Sequence, residues 1–209
     1  MSDLITYNQF VKKYNKVNIF VEEIPKIIFR TGKWTIEEIP NVVMEVYKET
    51  IRLNPGYKFV YFDNNDCYNF IKDFNPSYLL HYNKLIPTAY KADLFRYLLL
   101  YKYGGCYGDM TQEIYIPYDK LCDGFDRVFC RDSLSDKLGL YNALMCVKPL
   151  DSVVYQVLEI VKKSGGINYT VEKMKSYQEE ALRLLKTFDD NESRKSLELL
   201  VNFVIERKK

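Results

Sequence analysis

The chain reads Ala92-Asp93-Leu94-Phe95-Arg96-Tyr97, and soon after it Tyr103-Gly104-Gly105-Cys106-Tyr107-Gly108-Asp109-Met110-Thr111. A spacing of three puts Asp93 and Arg96 on one face of a helix. The glycine pair stops that helix and lets the chain reverse. Asp109 then falls at the end of a short strand, the place where open α/β sheets keep their ligands. An acid and a base on a helix, aimed at a second acid on a strand end, make a cradle for a polar, phosphate-bearing ligand.

Working outward, strands and helices alternate up to about residue 165, which predicts an α/β fold. A β-rich run at residues 26–30 is the first strand. Residues 37–53 carry a helical stripe of Val42, Val43, Val46, Tyr47 and Ile51, closed by Asn54-Pro55-Gly56. Residues 57–62 read as a strand, 66–74 as a short helix and 88–103 as the helix of the opening stretch. Strand pieces follow at 106–109, 113–116, 126–131 and 141–147. Residues 151–163 form a helix, and a lead-in helix covers 5–17. The tail from 171 to 209 is helical and charged. The reading is one domain over residues 1–209, with a core at about 24–165 and a helical tail at about 171–209.

Composition narrows the function classes. The chain has 209 residues, 47% hydrophobic and 28% charged, an ordinary balance for a globular domain. A net charge of +2 gives no electrostatic footprint for nucleic acid. Five cysteines, no C-x-x-C pair and the single His81 assemble no zinc site by spacing. They read instead as reduced thiols in the cytoplasm. No run approaches the roughly 20 apolar residues of a membrane span, and the start lacks a basic-then-apolar leader.

The residues quoted first resemble glycosyltransferase family 32, sugar transferases with a DxD motif. Members read A-x-K-x-A-D-hydrophobic-x-R-Y and then Y-G-G-x-Y-x-D-x-D; the counterpart here runs from Ala89 to Tyr97 and from Tyr103 to Thr111. Ile24-Pro25-Lys26-Ile27-Ile28-Phe29-Arg30-Thr31 resembles the family's opening strand. Asn54-Pro55-Gly56-Tyr57 with Phe62-Asp63 resembles its N-P-G-Y…W-D segment. Asn142-Ala143-Leu144-Met145-Cys146-Val147-Lys148-Pro149 resembles a strand near the acceptor side. The likeness covers roughly residues 24–165. Phe29 stands where the family has His, Thr111 where it has the second Asp, and the family's C-terminal His and Trp have no counterpart.

The resemblance implies a GT-A-type nucleotide-sugar-binding sandwich on a mixed, mostly parallel sheet. It implies a UDP- or GDP-sugar donor, a glycan acceptor, Mn2+ or Mg2+ as cofactor, and retention of the anomeric configuration. Carried over residue by residue, Asp93, Arg96 and Asp109 are the catalytic set, with Arg96 near the phosphates. Phe29, Arg30 and Thr31 lie near the base, Tyr107 under the donor, and Asn142 near sugar or acceptor. Metal binding falls to Asp109. If residues 109–113 stay extended, Asp109, Thr111 and Glu113 share one strand face. A hydroxyl and a second carboxylate then make up for the missing Asp. Thr111 also motivates a rival reading, a non-catalytic scaffold of the same fold with a decayed metal site. A donor hydrolase is a third.

Overall fold

The computed structural model describes residues 4–14, 21–85, 87–132, 139–163 and 165–206. Six strands form one sheet in the order β1-β3-β2-β4-β6-β5. The strands are β1 (Leu4–Thr6), β2 (Ile27–Thr31), β3 (Lys58–Phe62), β4 (Gly105–Gly108), β5 (Arg127–Asp132) and β6 (Gly139–Val147). The first four pair in parallel, whereas β6 runs antiparallel to both β4 and β5. This is the α/β architecture that the alternation of elements predicts, with the mixed, mostly parallel sheet that the resemblance implies.

Side chains alternate across the sheet and build two cores. On one face Phe29, Val60, Phe62, Tyr107, Met145 and Val147 pack with α1 (Tyr7–Tyr14), α3 (Asn64–Phe74), α4 (Leu79–Lys84), α5 (Thr88–Tyr103) and α7 (Ser152–Lys163). On the other, Ile28, Phe59, Tyr61, Cys106 and Cys146 pack with α2 (Asn41–Leu53) and α6 (Tyr118–Cys122). Helix α5 is the central helix: Leu94, Phe95, Arg96, Leu98, Leu99, Leu100 and Tyr103 are all buried. It stops where predicted. Gly104 adopts φ 63° while its N–H caps the Leu100 carbonyl, and a Cβ there would meet the Pro149 backbone nitrogen at 2.6 Å. Only glycine allows both the left-handed turn and the close approach.

Several expectations shift. The lead-in read at 5–17 is strand β1 followed by α1 as far as Tyr14, its last three positions lie outside the described residues, and the sheet reaches outside the predicted core. Pro40 splits the 37–53 helix into a short 3-10 turn at Ile36–Glu38 and α2. Residues 113–116 form no strand. The tail folds as α8 (Gly166–Leu185) and α9 (Glu192–Glu206), packed on one another outside both cores. No described helix is long and apolar enough to cross a membrane.

Chain order then sets the site. From β2 the chain crosses to β3 on one side, then returns to lay β4 on the other. The carboxyl ends of β2 and β4 therefore flank the switch point, the crevice where open α/β sheets bind ligands. Thr31 ends β2, Asp109 follows β4, and Asp63 follows β3.

Candidate active site

The charged centre is a knot around Arg96. Its side chain is only 4% exposed, and its Nη2 lies 3.0 Å from Asp93 Oδ1 and 3.0 Å from Asp109 Oδ1. Nη1 donates to the Asn142 carbonyl at 2.8 Å, and Nε to the Ala92 carbonyl at 3.2 Å. Asn142 Nδ2 donates to Asp93 Oδ1 at 3.1 Å. The guanidinium also lies 4.7 Å above the Tyr107 ring. A buried charge is tolerable when paired and fully hydrogen-bonded, and the two carboxylates supply this. Helix α5, strand β4 and strand β6 thus meet at one side chain.

Behind the knot runs a hydroxyl relay. Tyr107 OH donates to Asp109 Oδ1 at 3.2 Å, and Thr31 Oγ1 lies 2.9 Å from Tyr107 OH. Burial pushes the Tyr107 hydroxyl well above its ordinary pKa, so it stays a donor to Asp109. Burial likewise raises Asp93; the nearby Arg96 and Asn142 oppose this, and Asp109 adds to it.

A second arginine holds the backbone. Arg30 is fully buried, and its Nη1 and Nη2 donate to the carbonyls of Asp109 and Gln112, each at 3.0 Å. Those carbonyls belong to a turn in which Gln112 N–H donates to the Asp109 carbonyl at 2.9 Å. Space for the guanidinium exists because residue 108 is glycine; a Cβ there would sit 1.5 Å from Arg30 Nη1.

A cleft of about 370 Å³ opens in front of the knot, lined on one wall by Arg96, Asp109 and Thr111 and elsewhere by Thr31, Lys33, Trp34 and Lys91. Lys33 Nζ lies 5.1 Å from the Trp34 ring centre, and Lys91 Nζ 5.2 Å from that of Tyr82.

The sequence-predicted residues divide. Asp93, Arg96, Asp109, Tyr107 and Asn142 are brought together, and Thr31 and Thr111 reach the cleft. Phe29 does not: it is fully buried on the α5 side, packed edge-on to Phe10 and Phe62. Arg30 faces the turn from beneath rather than a base. Tyr107 lies under Arg96, with no surface of its own. The extended run 109–113 is a turn, which removes the shared strand face. Glu113 instead accepts from Tyr115 OH and lines a different groove with Glu45 and Glu49. Lys33 and Lys91 were not among the predicted contacts. Lys91 sits inside the quoted Ala89–Tyr97 motif, and its position two residues before Asp93 was the available signal.

Residues 40–123 span α2 to α6 and include Asp93, Arg96 and Asp109. They match the family model described as the glycosyltransferase sugar-binding region containing a DXD motif. Over residues 40–123 this chain matches that glycosyltransferase family. It is 34% identical over 118 residues to an uncharacterized glycosyltransferase of Acanthamoeba polyphaga mimivirus, covering 56% of this chain and 41% of that one. It is also 34% identical over 149 residues to inositol phosphoceramide mannosyltransferase 2 of Schizosaccharomyces pombe, covering 70% of this chain and 41% of that one. The chain therefore spans about two fifths of the length of these relatives. Among solved structures, the PaToxG glycosyltransferase superposes with a TM-score of 0.49 at 15% identity, covering 90% of this chain and 81% of that one. The DXD-like stretch of this chain reads Asp109-Met110-Thr111.

Proposed function

We propose that this domain transfers a sugar from a nucleoside-diphosphate sugar to a hydroxyl acceptor, with a divalent cation bound at Asp109. The supporting observation is the Arg96 knot at the sheet's switch point, which holds Asp109 at the edge of a cleft that also carries two lysines. Asp109 keeps 43% of its side chain exposed, and Thr111 lines the same wall. One carboxylate, one hydroxyl and the donor's own phosphate oxygens are a set that Mg2+ or Mn2+ accepts, since such ions keep several waters. When bound, the cation neutralises charge gathering on the departing diphosphate. Glu113 has no part in that set.

The protein's own groups take the remaining roles. Arg96 is spent on Asp93, Asp109 and Asn142, so Lys33 and Lys91 are, among the described residues, the cleft-lining cations left to meet phosphates. Tyr107 and Thr31 fix the Asp109 carboxylate from behind. Asp93 and Asp109 are both tied to Arg96, which disfavours either as a carboxylate nucleophile. Retention by a front-face route, with the leaving diphosphate taking the acceptor's proton, fits this arrangement. A relative named as an inositol phosphoceramide mannosyltransferase makes a mannosyl donor and an inositol-containing acceptor the first pair to test.

Thr111 favours a second reading, a binding scaffold with a decayed metal site. One experiment separates the two. GDP- and UDP-sugars are screened with Mn2+ by thermal shift and by released nucleotide, in the parent, Asp109→Ala and Thr111→Asp. The transferase reading expects metal-linked binding in the parent and its loss in a folded Asp109→Ala. The scaffold reading expects none in the parent and its appearance in Thr111→Asp.

A further inference from the structure

Spacing alone assembled no thiolate site, but the fold does. Cys106 of β4 and Cys146 of β6 are directly opposed across the antiparallel pair. Cys122, the last residue of α6, closes over them. Its Sγ lies 4.0 Å from that of Cys106, and all three sulfur atoms fall within 4.8 Å of one another. Among the described residues this is the one grouping of three or more potential metal-ligating Cys, His, Asp or Glu side chains that close. It sits on the α2/α6 side of the sheet, whereas Tyr107 and α5 lie on the other.

The geometry suits an ion. Thiolates bound to Zn2+ at about 2.3 Å stand roughly 3.8–4.0 Å apart, in either tetrahedral or trigonal arrangement. One pair here is already at that separation, and the others need a contraction of under about 1 Å. Cys106 and Cys146 are buried and Cys122 is half-buried, so the triad opens in one direction only. That direction is a groove lined by Cys122, Glu22, Glu23, Asp119 and Asp123. Asp119 is held there by Lys26 at 2.8 Å and by Tyr57 OH at 3.0 Å. An acidic mouth above three sulfurs draws a cation in and leaves a fourth coordination position for water. Soft thiolate sets select Zn2+ over the hard ions that carboxylates hold.

We propose that Cys106, Cys122 and Cys146 bind one thiophilic divalent ion of the Zn2+ type, separate from the carboxylate site in the cleft. Binding releases the thiol protons and ties β4, β6 and α6 together behind the strand that leads to Asp109.

The test uses the full chain, reduced and stripped by chelator, with Co2+ as the spectroscopic reporter. A thiolate-to-Co2+ charge-transfer band should saturate at one ion per chain, vanish on addition of Zn2+, and persist in Asp109→Ala and Cys130→Ser. Zn2+ should raise the melting temperature. Cys122→Ser, changed at the half-buried rim, should lose most of the band and of the Zn2+ shift. Absence of the band, or a band unchanged in Cys122→Ser, overturns the site. Should that variant fail to fold, X-ray absorption of the Zn2+-loaded parent decides. Three sulfurs in the coordination shell support the proposal, and a shell of nitrogen and oxygen alone overturns it.

Discussion

Arg96 and Arg30 are both buried, yet they do different work. Arg96 pairs with two carboxylates, while Arg30 satisfies backbone carbonyls of the Asp109–Gln112 turn. Arg96 acts here as a positioning residue, since its donors are taken by the protein. Lysine offers no planar fork and cannot serve Asp93, Asp109 and Asn142 together. Charge-assisted bonds are worth about 1.5–3 kcal/mol each, so Arg96→Lys should lower turnover by roughly 10–100-fold. Because Asp109 would be misplaced, the loss should fall on kcat at least as much as on donor KM. Unchanged kinetics in a folded variant would reduce Arg96 to a structural ion pair. Gly108 is the companion of Arg30. Gly108→Ala inserts a methyl where the guanidinium lies, and overpacking of that kind costs about 1–3 kcal/mol. Denaturant unfolding should show that loss, and Gly108→Ala combined with Arg30→Ala should recover part of it. A single variant as stable as the parent would show that Arg30 relocates freely.

At the scale of elements, α3 carries a testable charge. Its N-cap Asp63 accepts from Asp66 N–H at 2.8 Å, and Asp66 answers through the reciprocal capping-box bond to Asp63 N–H. Burial, and secondarily Asp63, raise the Asp66 carboxyl from 3.8 to about 6, against the lowering effect of that backbone bond. A carboxyl raised in the folded state favours folding most when protonated. Its contribution is present below about pH 4 and is lost as the pH rises through about 6. Asp66→Asn should therefore gain melting temperature relative to the parent between pH 4 and 7, and parallel curves for the two proteins would refute the assignment. The elements were largely legible. Period 3.6 and a glycine stop gave α5 from residue 88 to 103, and β-branched and aromatic runs gave β2, β3 and β6. Misreadings came where local pattern met a competing constraint. Residues 113–116 look strand-like, but the turn that Arg30 clamps at Asp109–Gln112 carries the chain away from the sheet. Phe29 sits at a strand position the resemblance assigned to the base, yet strand alternation turns it into the α5-side core. The Asp93–Arg96–Asp109 convergence was readable because helix spacing and strand end are both local. The Cys106–Cys122–Cys146 triad was not, because strand pairing brings together residues 40 apart, and sequence spacing carries no trace of it.

Over the whole molecule, the sheet divides function between its two directions of pairing. The parallel half delivers strand ends to the cleft, and the antiparallel half, through β6, brings Asn142 back to Arg96. Helices α8 and α9 lie outside both cores, with α8 against α4, and they leave Leu184, Leu199 and Phe203, and Phe188 of their connection, exposed. The outer rims of the sheet are unequal. On the β5 side the edge strand is six residues long and carries two arginines and an aspartate. On the other, β1 contributes only Leu4, Ile5 and Thr6, laid against Phe59, Val60 and Tyr61. Charge and brevity are two ways natural sheets discourage pairing with another chain. Were those three residues trimmed away, the freshly bared amides of a longer, aromatic strand would be offered to any neighbour. The short first strand is in this sense a guard against self-association, and light scattering of a variant lacking Leu4–Thr6 should show larger species than the parent.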